Sequence, residues 1–334
     1  MTTHYSSTLS LYETQSAIGF IQQTFQFELS RRLHLMRATA PLFVNPDTGL
    51  NDNLSGVVRA VSFDIPGIPE VTSGAQVVHS LAKWKRQALG TYGFQPDTGL
   101  WTDMNAIRRD EVPDAIHSIY VDQWDWEKVI TPEMHCEAYL RETVTDIVDA
   151  ICATLSALKV RYPQIPVNLS RKVSFVSSQE LLDCYPDLSA KERENAWVRA
   201  HPTTFIMQIG GKLSNGQPHD GRAPDYDDWA LNGDLMFWDE TLGMAMELSS
   251  MGIRVDAARM KQQCSEAGCE NRLALPFHRS VLNGEIPLSI GGGIGQSRLC
   301  MLLLGKAHIG EVQVSLWPDR MIEECAAKGI QLLR

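Results

Sequence analysis

A glycine-rich segment that leads directly into an apolar run constrains the fold of this chain more than any other feature. Residues 291–298 read GGGIGQSR, and residues 299–305 read LCMLLLG. Glycines let a backbone approach a ligand closely, and the apolar run predicts a buried helix that ends at Gly305. The amides at the start of such a helix favour an anion, and Arg298 lies one turn inside it.

This segment has two competing interpretations. A dinucleotide-binding fingerprint fails, because the third glycine position of that motif holds Ser297 or Arg298 here instead of glycine or alanine. A tight strand-to-helix turn without any ligand is the simplest alternative. Three consecutive glycines together with a helical arginine favour a phosphate-binding site over that turn.

Hydrophobic periodicity predicts two long helices, one from about residue 13 to 35 and one from about residue 137 to 160. Strand-like runs are found at residues 118–126, 173–176 and 203–209. Helices and strands do not alternate regularly, as a parallel α/β sheet would require. We therefore expect an α+β fold with a largely antiparallel central sheet flanked by helices. No stretch resembles a linker, so a single domain over residues 1–334 is expected.

The composition argues against several classes of function. The net charge of -10 disfavours a large nucleic-acid surface, because phosphate backbones are bound by clustered lysine and arginine. No apolar run approaches the ~20 residues that span a bilayer, and the N-terminus has no secretory signal. The seven cysteines are an odd number without tight spacing, which argues for free thiols in a reducing compartment. We expect a cytoplasmic protein that binds neither nucleic acid nor membranes.

A strand with polar residues on one face is predicted at residues 118–127. Because side chains alternate along a strand, Gln123 and Asp125 share one face, and Trp124 and Trp126 share the other. A carboxylate beside an amide suits a substrate ammonium group. An exposed polar strand face explains the pattern equally well, so the residues alone leave both interpretations open.

Two carboxylates and one lysine add to the candidate site. Asp234 and Glu247, on neighbouring strands, could hold Mg²⁺ that bridges nucleotide phosphates, although solvated carboxylates are the simpler alternative for each. Lys85 lies beside Leu81 and Ala82 on a predicted helix. That mostly apolar setting could hold a substrate carboxylate, but an amphipathic helix with a basic exposed face is equally common.

Four segments follow one another in an order that is similar to motifs 1, 2 and 3 of the class II aminoacyl-tRNA synthetases. They are the N-terminal helix, which ends before Pro41, residues 108–111 with the strand that follows, residues 247–254, and the glycine-rich segment with Arg298. Nearly the whole chain further resembles the ammonia-dependent aspartate–ammonia ligases, the asparagine synthetase A family. The segments that carry this resemblance are NDNLSG (51–56), VVHSLAKWKRQ (77–87), YVDQWDWE (120–127), RAPDYDDW (222–229), ELSSMGIRVD (247–256) and IGGGIGQSR (290–298).

The resemblance implies a class II synthetase-like catalytic domain that makes L-asparagine from L-aspartate, ammonia and ATP. It implies a β-aspartyl-adenylate intermediate, release of AMP and pyrophosphate, and a requirement for Mg²⁺. It also implies a homodimer, because motif 1 usually builds a symmetric interface. The alternatives are a stand-alone enzyme that transfers an aminoacyl group to tRNA or protein, and an inactive synthetase-like regulatory subunit.

The resemblance also assigns roles to individual residues. Arg108, in preference to its neighbour Arg109, would meet the α-phosphate of ATP. Further nucleotide contacts are expected from Glu111, Asp234, Glu247, Gly293, Gly295 and Arg298, with Mg²⁺ on Asp234 and Glu247. Aspartate is expected to contact Asp52, Lys85, Gln123, Asp125, Ser249, Ser250 and Arg298. Asp52 and Asp227 lie in predicted polar loops and would receive ammonium and remove its proton. The catalytic residues expected are Arg108, Arg298, Asp52 and Asp227.

Overall fold

The structure, a computed structural model, describes residues 5–52 and 58–334. Residues 53–56 of the NDNLSG segment lie outside the described residues. The β-strands of the described residues are β1 (Leu35–Arg37), β2 (Phe43–Val44), β3 (Ser62–Phe63), β4 (Ala75–Val77), β5 (Gly99–Ile107), β6 (Tyr120–Val129), β7 (Ser174–Ser177), β8 (Thr203–Met207), β9 (Asp227–Asp239), β10 (Met244–Arg254) and β11 (Ser289–Gly295). The α-helices are α1 (Leu11–Leu33), α2 (Ala82–Tyr92), α3 (Glu137–Arg161), α4 (Ser178–Cys184), α5 (Ala190–Ala200), α6 (Ala257–Glu266), α7 (Pro276–Leu282), α8 (Gln296–Leu304) and α9 (Asp319–Ala327).

Helix α1 begins and ends at identifiable signals. The Ser10 side chain accepts the backbone N–H of Glu13, and the Glu13 carboxylate accepts the N–H of Ser10, which is a capping box. The helix ends where His34 adopts a left-handed conformation with φ 56°. It thus starts slightly before the predicted residue 13 and ends before the predicted residue 35, because Leu35 begins strand β1.

The principal sheet has eight strands in the order β1-β5-β6-β11-β10-β9-β8-β7. Neighbouring strands from β5 to β8 along this order are antiparallel, whereas β1 pairs with β5 and β7 pairs with β8 in parallel. The sheet is therefore mixed, and the antiparallel arrangement expected from the sequence applies to its central strands. A smaller sheet has the order β2-β4-β3.

Helices α1, α3 and α8 cover one face of the principal sheet and form the main core. On α1, a buried residue recurs every four positions, so one stripe of the helix packs inward: Ala17, Ile21, Phe25, Leu29 and Leu33. The ring of Phe25 lies 4.8 Å from that of Trp124 on β6. Full burial of each such large side chain contributes roughly 1.5–3 kcal/mol. The covered face leaves the opposite face of β6, β10 and β11 to line a cleft.

None of the helices within residues 5–52 and 58–334 is long and apolar enough to cross a membrane.

Candidate active site

Two adjoining pockets form one cleft on the open face of the principal sheet. Both pockets are lined by Arg108, Glu111, Gln123, Glu247 and Gly293. The first pocket adds Gly295 and Arg298, and the second adds Asp52, Lys85, Asp125, Asp227 and Ser250. The structure therefore brings together all the predicted site residues except Ser249 and Asp234, which line neither pocket. Ser249 is buried beneath the cleft surface on β10.

The alternation predicted for strand β6 is confirmed. Trp124 and Trp126 are fully buried in the core, whereas Gln123 and Asp125 line the cleft. The exposed polar strand face, the alternative interpretation, is wrong for Asp125, because this residue is only 2% exposed. A buried carboxylate that opens onto a pocket needs a cationic partner, since an isolated charge is costly to desolvate.

Lys85 provides that cation in a buried corner of the cleft. From helix α2, its Nζ donates to the carbonyl oxygen of Gly292 at 2.9 Å and lies 3.3 Å from Asp125 Oδ1. Burial lowers the pKa of Lys85, and the carboxylates of Asp125 and Glu127 partly oppose that effect. The other oxygen of Asp125 accepts the backbone N–H of Leu81 at 3.2 Å. An ammonium and a carboxylate held side by side match the two charges of an amino-acid substrate.

The lack of a side chain at Gly293 leaves open space beside Gln123 and Asp125. It pairs with Asp125 across the β6–β11 ladder. A Cβ atom at this position would lie 2.5 Å from Gln123 Oε1 and 2.6 Å from Asp125 Oδ1, so a larger residue would displace both groups. Residues 291–293 lie inside strand β11, and helix α8 begins at Gln296, directly after the strand ends at Gly295.

The start of helix α8 already holds an anion of the chain itself. The backbone N–H of Ser297 donates to Asp122 Oδ1 at 3.1 Å, and its hydroxyl donates to Oδ2 at 2.6 Å. The expectation that these amides bind a nucleotide phosphate needs correction, because the Asp122 carboxylate occupies the position expected for the phosphate. The rest of the prediction is confirmed: α8 is buried and ends at Gly305, whose φ is 61°.

Arg298 faces the first pocket from the first turn of α8. Its Nη1 donates to the carbonyl oxygen of Glu247 at 2.8 Å and lies 3.8 Å from Glu247 Oε2. Its Nε reaches the carbonyl oxygen of Ile116 at 3.4 Å. These bonds hold the guanidinium plane across β10 and leave it open to the pocket, where it can stack or donate to a ligand.

Arg108, and not Arg109, belongs to the cleft. Arg108 lines both pockets, and its Nε is buried without a hydrogen-bond partner among the described residues. Arg109 is exposed and lines neither pocket. A turn places Glu111 beside Arg108, because the backbone N–H of Glu111 donates to the carbonyl oxygen of Arg108 at 3.0 Å. A buried guanidinium nitrogen without a partner is a ready donor for an anionic ligand.

Asp234 and Glu247 lie on the neighbouring strands β9 and β10, as predicted, but in different surroundings. Asp234 is buried and forms an ion pair with Arg222 through Oδ2. Its Oδ1 has no hydrogen-bond partner in the described part of the chain. Burial raises the pKa of Asp234 to about 7; Arg222 lowers it and Glu247 raises it. Glu247 is more exposed and opens onto both pockets.

Asp227 is the first residue of strand β9 and not part of a loop, which corrects the expectation from its polar surroundings in the sequence. It is 2% exposed, and its Oδ1 is bound by Arg254 Nη1. Arg254 in turn binds both carboxylate oxygens of Glu127, at 2.9 and 2.7 Å. Burial raises the pKa of Asp227, and the Arg254 charge lowers it. Asp52, in contrast, lies outside the helices and strands, and the Ser80 hydroxyl donates to its Oδ2 at 3.2 Å.

The sequence interpretation assigned no role to several residues of the cleft, among them Arg222, Tyr226 and Arg254. All three lie within segments that carry the family resemblance, so the signal was present. Their roles depend on partners that are distant in sequence or on another strand, and no local spacing reveals such partners.

The chain is similar to one family of enzymes over nearly its whole length. The sequence profile of the family described as aspartate-ammonia ligase matches residues 12–329. The aspartate–ammonia ligase of Lactobacillus acidophilus is 55% identical over 330 residues, with 98% of each chain covered. The aspartate–ammonia ligase of Levilactobacillus brevis is 54% identical over 329 residues, again with 98% of each chain covered.

Solved structures of class II synthetases share the fold. The asparaginyl-tRNA synthetase of Entamoeba histolytica in complex with asparaginyl-adenylate superposes with a TM-score of 0.65 at 12% identity. That match covers 91% of this chain and 66% of the synthetase, slightly less than two thirds of its length. The asparaginyl-tRNA synthetase of Pyrococcus horikoshii, complexed with the same adenylate, gives 0.63 at 14% identity and covers 92% and 70%. At these identities the likeness establishes the fold alone.

Proposed function

The chain belongs to the aspartate–ammonia ligase family and makes L-asparagine from L-aspartate, ammonia and ATP, and we propose that it does so through a β-aspartyl-adenylate formed in the cleft described above. The observation that carries this proposal is the buried Lys85–Asp125 pair, 3.3 Å apart, in a cleft that also holds Arg108. An amino-acid site and a phosphate-binding arginine in one cleft are what adenylation requires.

Adenylation solves a chemical problem of the substrate. A carboxylate is a poor electrophile, because its charge is delocalised and its leaving group would be oxide. In the proposed first step, a β-carboxylate oxygen of aspartate bonds to the α-phosphorus of ATP and pyrophosphate leaves. In the second step, ammonia bonds to the β-carbonyl carbon and AMP leaves with the former carboxylate oxygen. The contribution of the protein is position and charge stabilisation.

Aspartate is oriented by the polar face of β6 and by helix α2. The ammonium of Lys85 binds the α-carboxylate, and Asp125 pairs with the α-ammonium. Gln123 and Ser250, which also line this pocket, offer hydrogen bonds to the remaining polar atoms. The close fit of Gly293 against Gln123 and Asp125 supports this assignment, because it keeps the corner open to a ligand. Ser249 contributes only through the strand that carries Ser250, since it is buried.

ATP lies along the part of the cleft shared by both pockets. Arg108 stabilises the charge that develops on the α-phosphoryl group, and its unpartnered Nε supports this role. Arg298 holds the nucleotide through its planar guanidinium. Glu111 beside Arg108, and the backbone at Gly293 and Gly295, complete the nucleotide contacts.

Asp234 and Glu247 fit a magnesium ion. Mg²⁺ takes few protein carboxylates and completes its coordination with water and phosphate oxygens. Asp234 Oδ1 is a buried carboxylate oxygen without a partner among the described residues, and Glu247 opens onto the cleft. Bound there, Mg²⁺ would neutralise phosphate charge on ATP. No group of three or more His, Cys, Asp or Glu side chains that could hold a metal ion is present in the described ranges.

Asp52 and Asp227 receive ammonium and remove its proton. Both carboxylates line the pocket that holds Lys85. Only neutral ammonia is a nucleophile, so the site must bind the cation and then take one proton from it. Burial, which raises the pKa of Asp227, makes this group a better proton acceptor than an exposed aspartate.

We further propose a cytoplasmic homodimer of single-domain subunits that has no nucleic-acid partner. Exposed apolar side chains near the N-terminal helix support a subunit interface: Phe27, Met36, Leu42 and Phe43. The net charge of -10 supports the absence of nucleic acid. Sedimentation of the purified protein tests the dimer, and a monomer at micromolar concentration would contradict it.

Product analysis tests the reaction. Purified protein is incubated with ATP, Mg²⁺, L-aspartate and ammonium, and the products are identified. Asparagine, AMP and pyrophosphate are expected in equal amounts. Formation of ADP and phosphate would indicate an acyl-phosphate route and would contradict the adenylate. Glutamine in place of ammonium is expected to support little synthesis.

A further inference from the structure

The segment that carries Asp227 into the cleft lies outside the helices and strands before β9, and the side chain of Gln263 bonds its backbone at several points. Residues 223, 226 and 227 of this segment line the second pocket of the cleft, in which we place aspartate. Gln263 packs behind it, on helix α6, and is 2% exposed. The helix begins at the Asp256 N-cap immediately after β10, so it is anchored to the strand beside Asp227.

Gln263 satisfies three backbone groups around Asp227. Its Nε2 donates to the carbonyl oxygen of Asp227 at 2.9 Å and to that of Pro224 at 3.0 Å. Its Oε1 accepts the backbone N–H of Trp229 at 2.9 Å. A primary amide is suited to this task, because it carries two donors and an acceptor at one end of a side chain. Three buried backbone groups would lose their partner together if the amide were removed.

The bonds of Gln263 hold Asp227 from the side opposite to its carboxylate. The backbone of Asp227 is held by Gln263 behind it, and its carboxylate is held by Arg254 in front. A residue constrained at both its carbonyl and its side chain has one position relative to the pocket. The side chain of Gln263 itself does not line the pocket.

We propose that Gln263 is a positioning residue for ammonium use: it holds Asp227 where this carboxylate can receive ammonium and take its proton. The inference rests on the proposed function of Asp227. Gln263 does not line the pocket and acts on ammonium use through the position of Asp227, so its loss affects the ammonium step and leaves ATP binding unchanged.

Steady-state kinetics of Gln263→Met test this role. Methionine keeps the length and volume of the side chain and removes its hydrogen-bonding groups. The KM for ammonium is expected to rise about tenfold, equivalent to ~1.4 kcal/mol, while the KM for ATP stays within about twofold. Gln262→Met is the matched control, because Gln262 is the exposed neighbour on the same helix and its side chain bonds to the surface residues Arg259 and Glu266. It is expected to behave as wild type.

A double-mutant cycle separates positioning from a general structural role. In an Asp227→Asn background, Gln263→Met is expected to add no further increase in the KM for ammonium, because the group that it positions is already altered. If the two substitutions multiply each other's effect on the KM for ammonium, the inference is overturned. Equal increases in the KM values for ATP and for ammonium in Gln263→Met would also overturn it. If Gln263→Met melts below the assay temperature, Gln263→Asn, which keeps the amide but shortens the side chain, is judged by the same two criteria.

The same measurements distinguish this inference from the proposed function. A raised ammonium KM in Asp227→Asn with wild-type kinetics in Gln263→Met overturns the inference and leaves the role of Asp227 intact. An unchanged ammonium KM in Asp227→Asn overturns both.

Discussion

Arg222, which lines the cleft, reaches from the segment before β9 and forms an ion pair with the buried carboxylate of Asp234. The pair is incomplete on both sides. Arg222 Nε and Asp234 Oδ1 are buried without partners among the described residues. Asp234 Oδ1 is therefore available to a cation, whereas Asp234 Oδ2 is paired with Arg222.

Removal of this arginine is expected to shift the pH dependence of the reaction. The Arg222 cation lowers the pKa of Asp234, which burial raises to about 7. In Arg222→Met that pKa rises further, so a larger fraction of Asp234 is protonated at neutral pH and cannot bind Mg²⁺. The acid limb of the kcat/KM profile should move to higher pH, with activity partly recovered in alkaline buffer. Arg171→Met, at an exposed pair with Asp149, is the control. An unmoved acid limb would show that Asp234 does not control the profile.

Neutralisation of the carboxylates is expected to raise the magnesium requirement. Asp234→Asn and Glu247→Gln keep the shape of each side chain and remove its charge. Each variant should need about tenfold more Mg²⁺ for half-maximal activity, equivalent to ~1.4 kcal/mol. Titration of activity with Mg²⁺ at saturating ATP measures this change. Glu240→Gln, at an exposed position just after β9, should leave the titration unchanged. Unaltered Mg²⁺ dependence in both test variants would exclude these carboxylates as ligands.

Asp125→Asn is expected to weaken aspartate binding selectively. Hydrogen bonds to charged groups contribute roughly 1.5–3 kcal/mol, so the KM for aspartate should rise about ten- to a hundredfold. Lys85 keeps its bond to the Gly292 carbonyl oxygen and its proximity to Glu127, so the corner should remain folded. The KM for ATP in the same variant is the internal control and should stay within about twofold. An unaltered KM for aspartate would place Asp125 outside the substrate site.

A buried cluster behind the cleft is expected to control acid stability. Asp225 is bound by Lys83 at 2.8 Å and by His278 at 2.9 Å. Burial alone would raise the pKa of Asp225, but Lys83 and His278 lower it well below its usual range. The stabilisation is therefore complete above the unfolded-state pKa of about 3.9 and is lost as pH falls below it.

Lys83→Met tests this cluster. It leaves a buried carboxylate with fewer cations, so the free energy of unfolding at pH 7 should fall by about 3 kcal/mol. The difference from wild type should shrink at acid pH, because Asp225 of the variant, without the Lys83 charge, takes up a proton at higher pH than in the wild type and no longer carries an uncompensated buried charge. Urea unfolding at several pH values measures both effects. Arg320→Met, at an exposed pair with Glu324, should leave the free energy of unfolding nearly unchanged. A pH-independent difference would contradict the proposed ionisation of Asp225.

Features set by neighbouring residues could be predicted from the sequence. The faces of β6 follow from strand alternation, so the positions of Gln123 and Trp124 were predicted correctly. The helix that ends at Gly305 follows from its apolar run and from the preference of glycine for a left-handed end. The parallel edge strands could not be predicted, because the pairing of β1 with β5 joins residues 35–37 to residues 99–101.

Features set by distant partners could not be predicted. Asp122 and Ser297 are 175 residues apart, and their hydrogen bonds put a carboxylate where the sequence indicated a phosphate. Asp227 lies in a polar stretch that is typical of a loop, yet Arg254 makes it a buried strand residue. In each case the outcome depends on a hydrogen-bond partner that is distant in the sequence, which local spacing does not encode.

A substitution at Arg298 distinguishes a structural role of this residue from a nucleotide-binding role. Its Nη1 bond to the Glu247 carbonyl oxygen could be kept by any cationic donor of suitable length. A planar guanidinium is required only if a second surface, such as an adenine ring or a phosphate fork, meets it in the pocket. Arg298→Lys preserves the charge and removes this geometry, so it tests the proposed role more sharply than alanine would.

The expected result is a large kinetic defect with little change in stability. Loss of one or two charge-assisted hydrogen bonds, at roughly 1.5–3 kcal/mol each, should lower kcat/KM for ATP by about ten- to a hundredfold or more. The melting temperature should stay close to that of wild type, because lysine can still donate to the Glu247 carbonyl oxygen. Arg320→Lys, at an exposed pair with Glu324, is the matched control and should change neither quantity. Wild-type kinetics in Arg298→Lys would remove Arg298 from the nucleotide site, and a fall in melting temperature that parallels the loss of activity would indicate a structural arginine instead.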